Sequence, residues 1–303
     1  MQCTYFKKRF ISFIFVFVSA FTYANEAAPN NHLSFSVLVT AESSGSLEAM
    51  VVEGGSWFTK RKLVHTAVLV SHPKGDFLFD SGIGREYKDQ MSVFNFFERQ
   101  LFKIENIQAA RDQLEQSNYD FTKLFAVIPS HMHWDHASGL EDFKEVPVWL
   151  QEISHEEAID GEPPAFVISQ YDDEDLTWNY LKLNNSLYEG FQKSFDVFSD
   201  GSVVLVDLTG HTHGQLGMFL NLPSGKRYFF IGDTTWSQLG VVNNKPRPNF
   251  VDCLVGVDTD FEQNNTLIDQ IHKLSLSKSD IVIVPAHDEL VVKTLPVFPD
   301  FSN

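Results

Sequence analysis

Residues 124–136 read LFAVIPSHMHWDH, and this stretch decides the fold. Leu124 to Ile128 is a short apolar run with β-branched residues, which reads as a buried strand. Pro129 ends it. Ser130, His131, Met132, His133, Trp134, Asp135 and His136 follow at once, so four potential metal ligands fall within six residues. Imidazoles packed this closely repel one another when protonated and lose hydration when buried. A divalent cation removes both penalties. His131 and His133 alternate along an extended segment, so both can face one side. Asp135 and His136 follow where the chain must turn, and can address a second ion. A single tetrahedral site would not need all four.

Working outward, the same device recurs downstream. The strand ending at Asp207 runs into Thr209-Gly210-His211-Thr212-His213-Gly214. Arg227 to Ile231 runs into Gly232-Asp233-Thr234, and Ile281 to Val284 into Pro285-Ala286-His287-Asp288. Each places a polar ligand just after an apolar strand, where loops can reach a shared cleft. Further strands are expected over Leu33–Thr40, Leu47–Glu53, Leu63–Ser71, Asp76–Asp80, Val146–Leu150, Phe195–Phe198, Leu216–Leu222 and Cys253–Val257. Helices are expected where Ile104, Ile107, Ala110 and Leu114 recur at helical spacing, over Gln151–Ile159, and over Asn265–Leu274. Leu176 to Phe191 is mixed, with Trp178, Tyr180, Leu183 and Leu187 near helical spacing. No linker rich in Pro, Gly and Ser splits the chain. One domain over residues 33–303, with two sheets and outer helices, is the expected organisation.

The chain has 303 residues, 43% hydrophobic and 21% charged, which excludes a disordered or fibrous protein. Its formal net charge of -17 repels phosphate backbones and argues against a nucleic-acid partner. Residues 1–24 read as a secretory signal peptide: Lys7, Lys8 and Arg9 precede the apolar run Phe10 to Phe21. That run is too short for a spanning helix, so no stable membrane insertion is expected after cleavage. Losing three cations and no anion takes the charge from -17 to -20. Residues 25–32 form a flexible leader, and a periplasmic or secreted location follows. Cys3 lies in the signal segment and Cys253 is then alone, a buried inert thiol with no disulfide partner. Six of 28 Phe lie in the signal segment. Of the remainder, Phe94, Phe96 and Phe97 are either core or the wall of an apolar substrate pocket. Asp172 to Asp175 is a solvated acidic face.

The segment His131-Met132-His133-Trp134-Asp135-His136 resembles the H-x-H-x-D-H signature of the metallo-β-lactamase superfamily. The resemblance extends through Leu78-Phe79-Asp80-Ser81-Gly82, His211, Gly232-Asp233 and His287, in the family's order over nearly the whole chain. It implies an α/β fold, a four-layer αβ/βα sandwich with a dinuclear site at one edge of two sheets. It also implies that His131, His133 and His211 hold one metal, that Asp135, His136 and His287 hold the other, and that Asp233 bridges them. Asp80 would orient a ligand histidine. Within the superfamily the chain is most similar to the N-acyl-homoserine lactonase-like branch. Classical β-lactamases usually lack the aspartate that Asp233 supplies. Two positions depart from that branch: His213 stands where proline is usual, and Trp236 where many lactonases place tyrosine. His213 is either a polar support or a loop residue. Trp236 has a single N–H donor and cannot act as an acid.

The resemblance implies a hydrolase that opens a lactone or carboxylic ester through a hydroxide shared by two divalent ions. Asp233 would set the metal spacing and Asp135 would orient or shuttle a proton, which makes these two the expected catalytic carboxylates. An all-imidazole and carboxylate donor set suits zinc, with iron, manganese or cobalt as alternatives. The partner is then a small molecule with an apolar portion. Alternatives are hydrolysis of a β-lactam or phosphodiester on the same fold, or an exported metal-binding protein without turnover.

Overall fold

The computed structural model describes residues 32–302. The expected signal peptide, all of the leader except His32, and the side chain of Cys253 lie outside the described residues.

Strands β1 (Ser34–Ser43), β2 (Ser46–Leu47), β3 (Lys60–Arg61), β4 (Val64–Ser71), β5 (Asp76–Phe79), β6 (Ile104–Glu105), β7 (Leu124–Ile128), β8 (Val148–Leu150) and β9 (Trp178–Tyr180) make up the first half. Strands β10 (Ser194–Asp196), β11 (Val203–Asp207), β12 (Leu216–Asn221), β13 (Arg227–Phe230) and β14 (Ile281–Val284) make up the second. Helices are α1 (Glu48–Val51), α2 (Tyr87–Gln90), α3 (Phe96–Leu101), α4 (Ala110–Gln116), α5 (Trp134–Ala137), α6 (Glu152–Asp160), α7 (Gln238–Asn243), α8 (Asn249–Val255), α9 (Phe261–Ser277) and α10 (Glu289–Val292).

Seven strands form one sheet in the order β6-β1-β4-β5-β7-β8-β9, and five form another in the order β10-β11-β12-β13-β14. Strand alternation explains the layers. Phe77, Phe79, Ala126 and Ile128 point from the first sheet into a core shared with Leu205, Met218, Leu220 and Phe230 of the second. The intervening residues Leu78 and Val127 face a separate core with Ala110 and Leu114 of α4 and Ala158 of α6. On the other side, Val204, Val206, Phe219 and Phe229 pack on Val241 of α7 and Leu267, Ile271 and Leu274 of α9. This is the helix–sheet–sheet–helix sandwich of the metallo-β-lactamase fold. The pairs β5–β7 and β13–β14 are parallel. Their carboxyl ends therefore emerge together, and the loops after them meet at one edge.

Several elements differ from the sequence reading. Leu47–Glu53 is mostly helix α1, because the chain doubles back at Gly54-Gly55. A Cβ on Gly55 would sit 2.5 Å from the Glu48 carbonyl oxygen. Cys253–Val257 falls largely in helix α8. Pro248 precedes that helix and Gly256 closes it at φ 59°, stop and start signals that override the apolar run. Ile104 pairs with Ser43 at the sheet edge, so the helix over this region is confined to α4. Trp178 and Tyr180 lie on the edge strand β9 rather than on a helix.

Candidate metal centre

Strand β7 delivers His131 and His133, and helix α5 begins immediately after them. The turn of α5 aims Asp135 and His136 back over the same edge. His211 follows β11, Asp233 follows β13 and His287 follows β14. Asp80, after β5, holds φ 62°, a strained value for a residue with a side chain. Two bonds compensate: the Ser130 backbone N–H donates to Asp80 Oδ1 at 2.6 Å, and Asp80 Oδ2 lies 3.1 Å from His136 Nδ1.

The Nδ1 atoms of four candidate ligands, His131, His136, His211 and His287, are occupied elsewhere. His287 Nδ1 donates to the Val64 carbonyl at 2.7 Å, and His211 Nδ1 faces Asp258 Oδ1 at 2.8 Å. His131 Nδ1 lies 3.0 Å from Ser130 Oγ. Their Nε2 atoms are left to converge in pairs, His136 with His287 and His131 with His211. Asp135 Oδ2, His136 Nε2, His287 Nε2 and Asp233 Oδ1 form one cluster. Five of their six separations are 3.9, 3.3, 3.3, 3.1 and 3.4 Å. Four donors about 2.0–2.1 Å from a zinc ion would stand about 3.3 Å apart. His131, His133 and His211 form a second cluster, with His131 Nε2 3.2 Å from His211 Nε2. Asp233 Oδ2, 3.7 Å from His211 Nε2, reaches toward it.

The electrostatics show the same need for cations. Burial, reinforced by neighbouring imidazoles, pushes His131 and His133 well below the usual histidine range. Burial would do the same to His136, but Asp80, Asp135 and Asp233 outweigh it and raise that group well above the usual range. His287 is raised for the same reason, with Asp233 foremost. Burial would raise the carboxyls of Asp135 and Asp233, yet the surrounding imidazoles hold both below the carboxylate range. Asp233 Oδ1 is buried and, beside the His136 and His287 Nε2 atoms at 3.3 and 3.1 Å, makes no well-aligned hydrogen bond among the described residues. Such an orphan is costly unless a ligand satisfies it. The donor set and the orphaned oxygen both fit two divalent ions.

A cavity of about 150 Å³ opens onto these groups. Leu63, Leu101, Phe102, Ile104, Trp134, Val251 and Val257 give it an apolar wall. Apart from the candidate ligands, His65 and the Trp236 N–H, its polar side chains are Ser43 and Ser46. No Lys or Arg lines it among the described residues.

The structure brings together all seven expected ligands, with Asp80 beneath them. Trp236 lines the cavity and donates its Nε1–H to Asp233 Oδ2 at 2.8 Å. His213 stands apart, exposed and paired with Glu157 Oε1 at 2.9 Å. Phe94 is buried against Trp134 and Phe102, its core alternative. Phe96 and Phe97 are 70% and 80% exposed and line no part of the cavity. Leu101 and Phe102 stand there instead, because α3 turns its aromatic start outward.

Sequence reasoning missed three residues. Asp258 orients His211 and pairs with Arg247, a fully buried guanidinium that also donates to the Asp233 carbonyl at 2.6 Å. His65 lies 3.1 Å from Asp135 Oδ2. A buried histidine that interrupts the apolar alternation of β4 was the available signal for the last.

The model of the metallo-beta-lactamase superfamily matches residues 61–287, and the chain belongs to that superfamily. Among its relatives is the N-acyl homoserine lactonase AiiA of Bacillus thuringiensis subsp. kurstaki. It is 24% identical over 258 residues, 81% of this chain and 91% of that one. The N-acyl homoserine lactonase AttM of Agrobacterium fabrum is 22% identical over 241 residues, 77% of this chain and 85% of that one. A solved N-acyl homoserine lactone hydrolase, with N-hexanoyl-L-homoserine at its catalytic metal center, superposes with TM-score 0.68. It shares 17% identity and covers 90% of this chain and 99% of that one. AidC, a dizinc quorum-quenching lactonase, gives TM-score 0.58 at 13% identity, with 89% and 90% covered. At these identities the likeness concerns the fold. The candidate dinuclear centre and family membership together define a metal-dependent hydrolase acting on ester-like bonds.

Proposed function

We propose that the chain hydrolyses a lactone or carboxylic ester carrying an apolar chain. His131, His133 and His211 would hold one divalent ion, Asp135, His136 and His287 the other, and Asp233 lies between the two clusters. Zinc suits this donor set. Bound there, the two ions supply Lewis acidity toward a carbonyl and an activated water. Asp233 would hold both ions through its carboxylate, and Trp236 steadies one of its oxygens by donating its N–H to Oδ2. Asp80 holds His136, and Asp258 holds His211, in the tautomers that leave Nε2 free. Asp135 faces the cavity and is placed to receive or pass on a proton as the ester bond breaks.

The observation that carries the reading is the cavity wall. An apolar lining without a basic side chain suits a neutral carbonyl ester with an alkyl arm. A phosphodiester or a β-lactam carboxylate would find no Lys or Arg on that wall to pair with charge beyond the reach of the ions. The relatives named N-acyl homoserine lactonases support the same class. Export of the chain through removal of residues 1–24 belongs to the proposal, and N-terminal sequencing of the secreted protein tests it. The function itself is tested with a panel of lactones, aryl esters, a cephalosporin and a phosphodiester, using Asp233→Asn as control. Lactone or ester opening that is lost in the variant is expected. Turnover confined to the phosphodiester overturns the assignment.

A further inference from the structure

We propose that His65 is the positioning residue of the second ion's site: it holds Asp135 in place and sets how tightly that ion is bound. The inference rests on the dinuclear reading above.

Strand β4 alternates, and Ala67 and Leu69 turn toward the helix-side core. The same face at the strand's first turns would ordinarily continue with an apolar residue. It presents His65 instead, 6% exposed, to the first turn of α5. The β1–β4 register breaks here, since Val39 pairs with Thr66 while Ala41 pairs with His65. The extra residue, Thr40, binds the His65 carbonyl at 2.9 Å and receives the Ile83 backbone N–H at 2.9 Å. A bulge of this kind re-aims a side chain and fixes its backbone.

The ring is then clamped. It packs on Trp134 at 5.7 Å and edge-on to His287 at 5.1 Å. Its Nδ1 faces Asp135 Oδ2 at 3.1 Å, the oxygen that also lies 3.3 Å from His287 Nε2. His65 is the described side chain hydrogen-bonded to that carboxylate, and a carboxylate on one short helical turn would otherwise rotate freely about its side-chain bonds. The neighbouring residue Val64 takes the His287 Nδ1–H on its carbonyl. Two consecutive residues of β4 therefore orient two ligands of one ion. Among the described residues no hydrogen bond or ring contact joins β4 to His131, His133 or His211, so the effect is expected at one ion.

The test uses the mature protein stripped of metal and titrated with zinc against a competing chelator. Cobalt(II) absorption serves as a second readout. Wild type binding two ions in this titration supports the dinuclear reading on which the inference rests, and one ion alone overturns that reading. In H65L or H65F, which lack the donor, the second ion's affinity falls about 10- to 100-fold while the first ion's is unchanged. H65N restores an N–H near the Nδ1 position and brings the second affinity back to within about threefold. Its cobalt spectrum matches wild type, since the ligands themselves are intact. Unchanged second-ion binding in H65L and H65F overturns the inference. So does an H65N as weak as H65L with an altered cobalt spectrum, because that makes the imidazole a direct ligand. Equal weakening of both ions overturns it as well, by showing a general loss of structure.

Discussion

Replacing Asp258 with Ala strips the Arg247 guanidinium of its carboxylate while leaving the charge buried. Arg247 is 1% exposed. Among the described residues its remaining polar neighbours are the Asp233 carbonyl, at 2.6 Å, and His211 Nδ1, at 3.3 Å, and its Nε has no partner. The Trp236 ring, 5.0 Å away, offsets little of the charge. Breaking a buried pair from one side costs about 3–5 kcal/mol. For a chain of this size that is a fall in Tm of about 10 °C. The loss should appear in metal-free protein by urea denaturation, so that weaker metal binding does not contribute. The double variant R247M/D258A removes the stranded charge and should recover at least about half of the loss. Asp258 also holds His211 Nδ1, so the first ion's affinity should fall about 10-fold or more in D258A. A destabilisation below about 1 kcal/mol, or a double variant no better than the single one, would refute the view that this pair is a buried support for the site.

Three further outcomes are expected. Burial pushes the Asp142 carboxyl up to about 6 from 3.8. The folded chain therefore keeps a proton that the unfolded chain releases, and stability falls as pH rises from about 4 to 6. Asp142→Asn keeps the acceptor for the Arg85 N–H and should add about 1–3 kcal/mol at pH 7 and almost nothing at pH 4; an equal gain at both pH values in urea melts contradicts this. His136 and His287, both raised, carry protons that bound cations must expel, so metal affinity should increase with pH. Calorimetric titrations in two buffers of different ionisation enthalpy should differ in apparent heat, and identical heats would count against it. Each methylene entering the cavity should raise kcat/KM about fourfold, from about 0.8 kcal/mol of burial, until the space is filled. Phe102→Ala should move that plateau to longer acyl chains, and an unmoved plateau removes Phe102 from the wall.

What could be read from the sequence followed local chemistry. His131 to His136 announced themselves by density, and His211, Asp233 and His287 by following apolar strands. Strands β7 and β14 lie where their apolar runs placed them. Cys253–Val257 reads as a strand yet falls largely in helix α8, because an apolar run of five residues fits either element, and Pro248 and Gly256 carried the deciding signal. Asp258 and Arg247 were silent because their meaning arises only when the loop before α9 folds beside His211. His65 carried a local signal in the alternation of β4, but its partner Asp135 lies 70 residues away and so could not be read. Phe96 and Phe97 misled because aromatic content alone does not say which way a short helix turns.

The most direct measurement adds zinc stepwise to the metal-free mature chain, from none to two equivalents, and follows lactone opening at each step. Binding should stop at two ions per chain, with ring opening at full rate once both are present. Asp233→Asn at the same loading should open the lactone at least about 100-fold more slowly, in line with losing a group that organises both ions. Saturation at a single ion, or a two-zinc chain that opens no lactone and cleaves no carboxylic ester, would contradict the assignment.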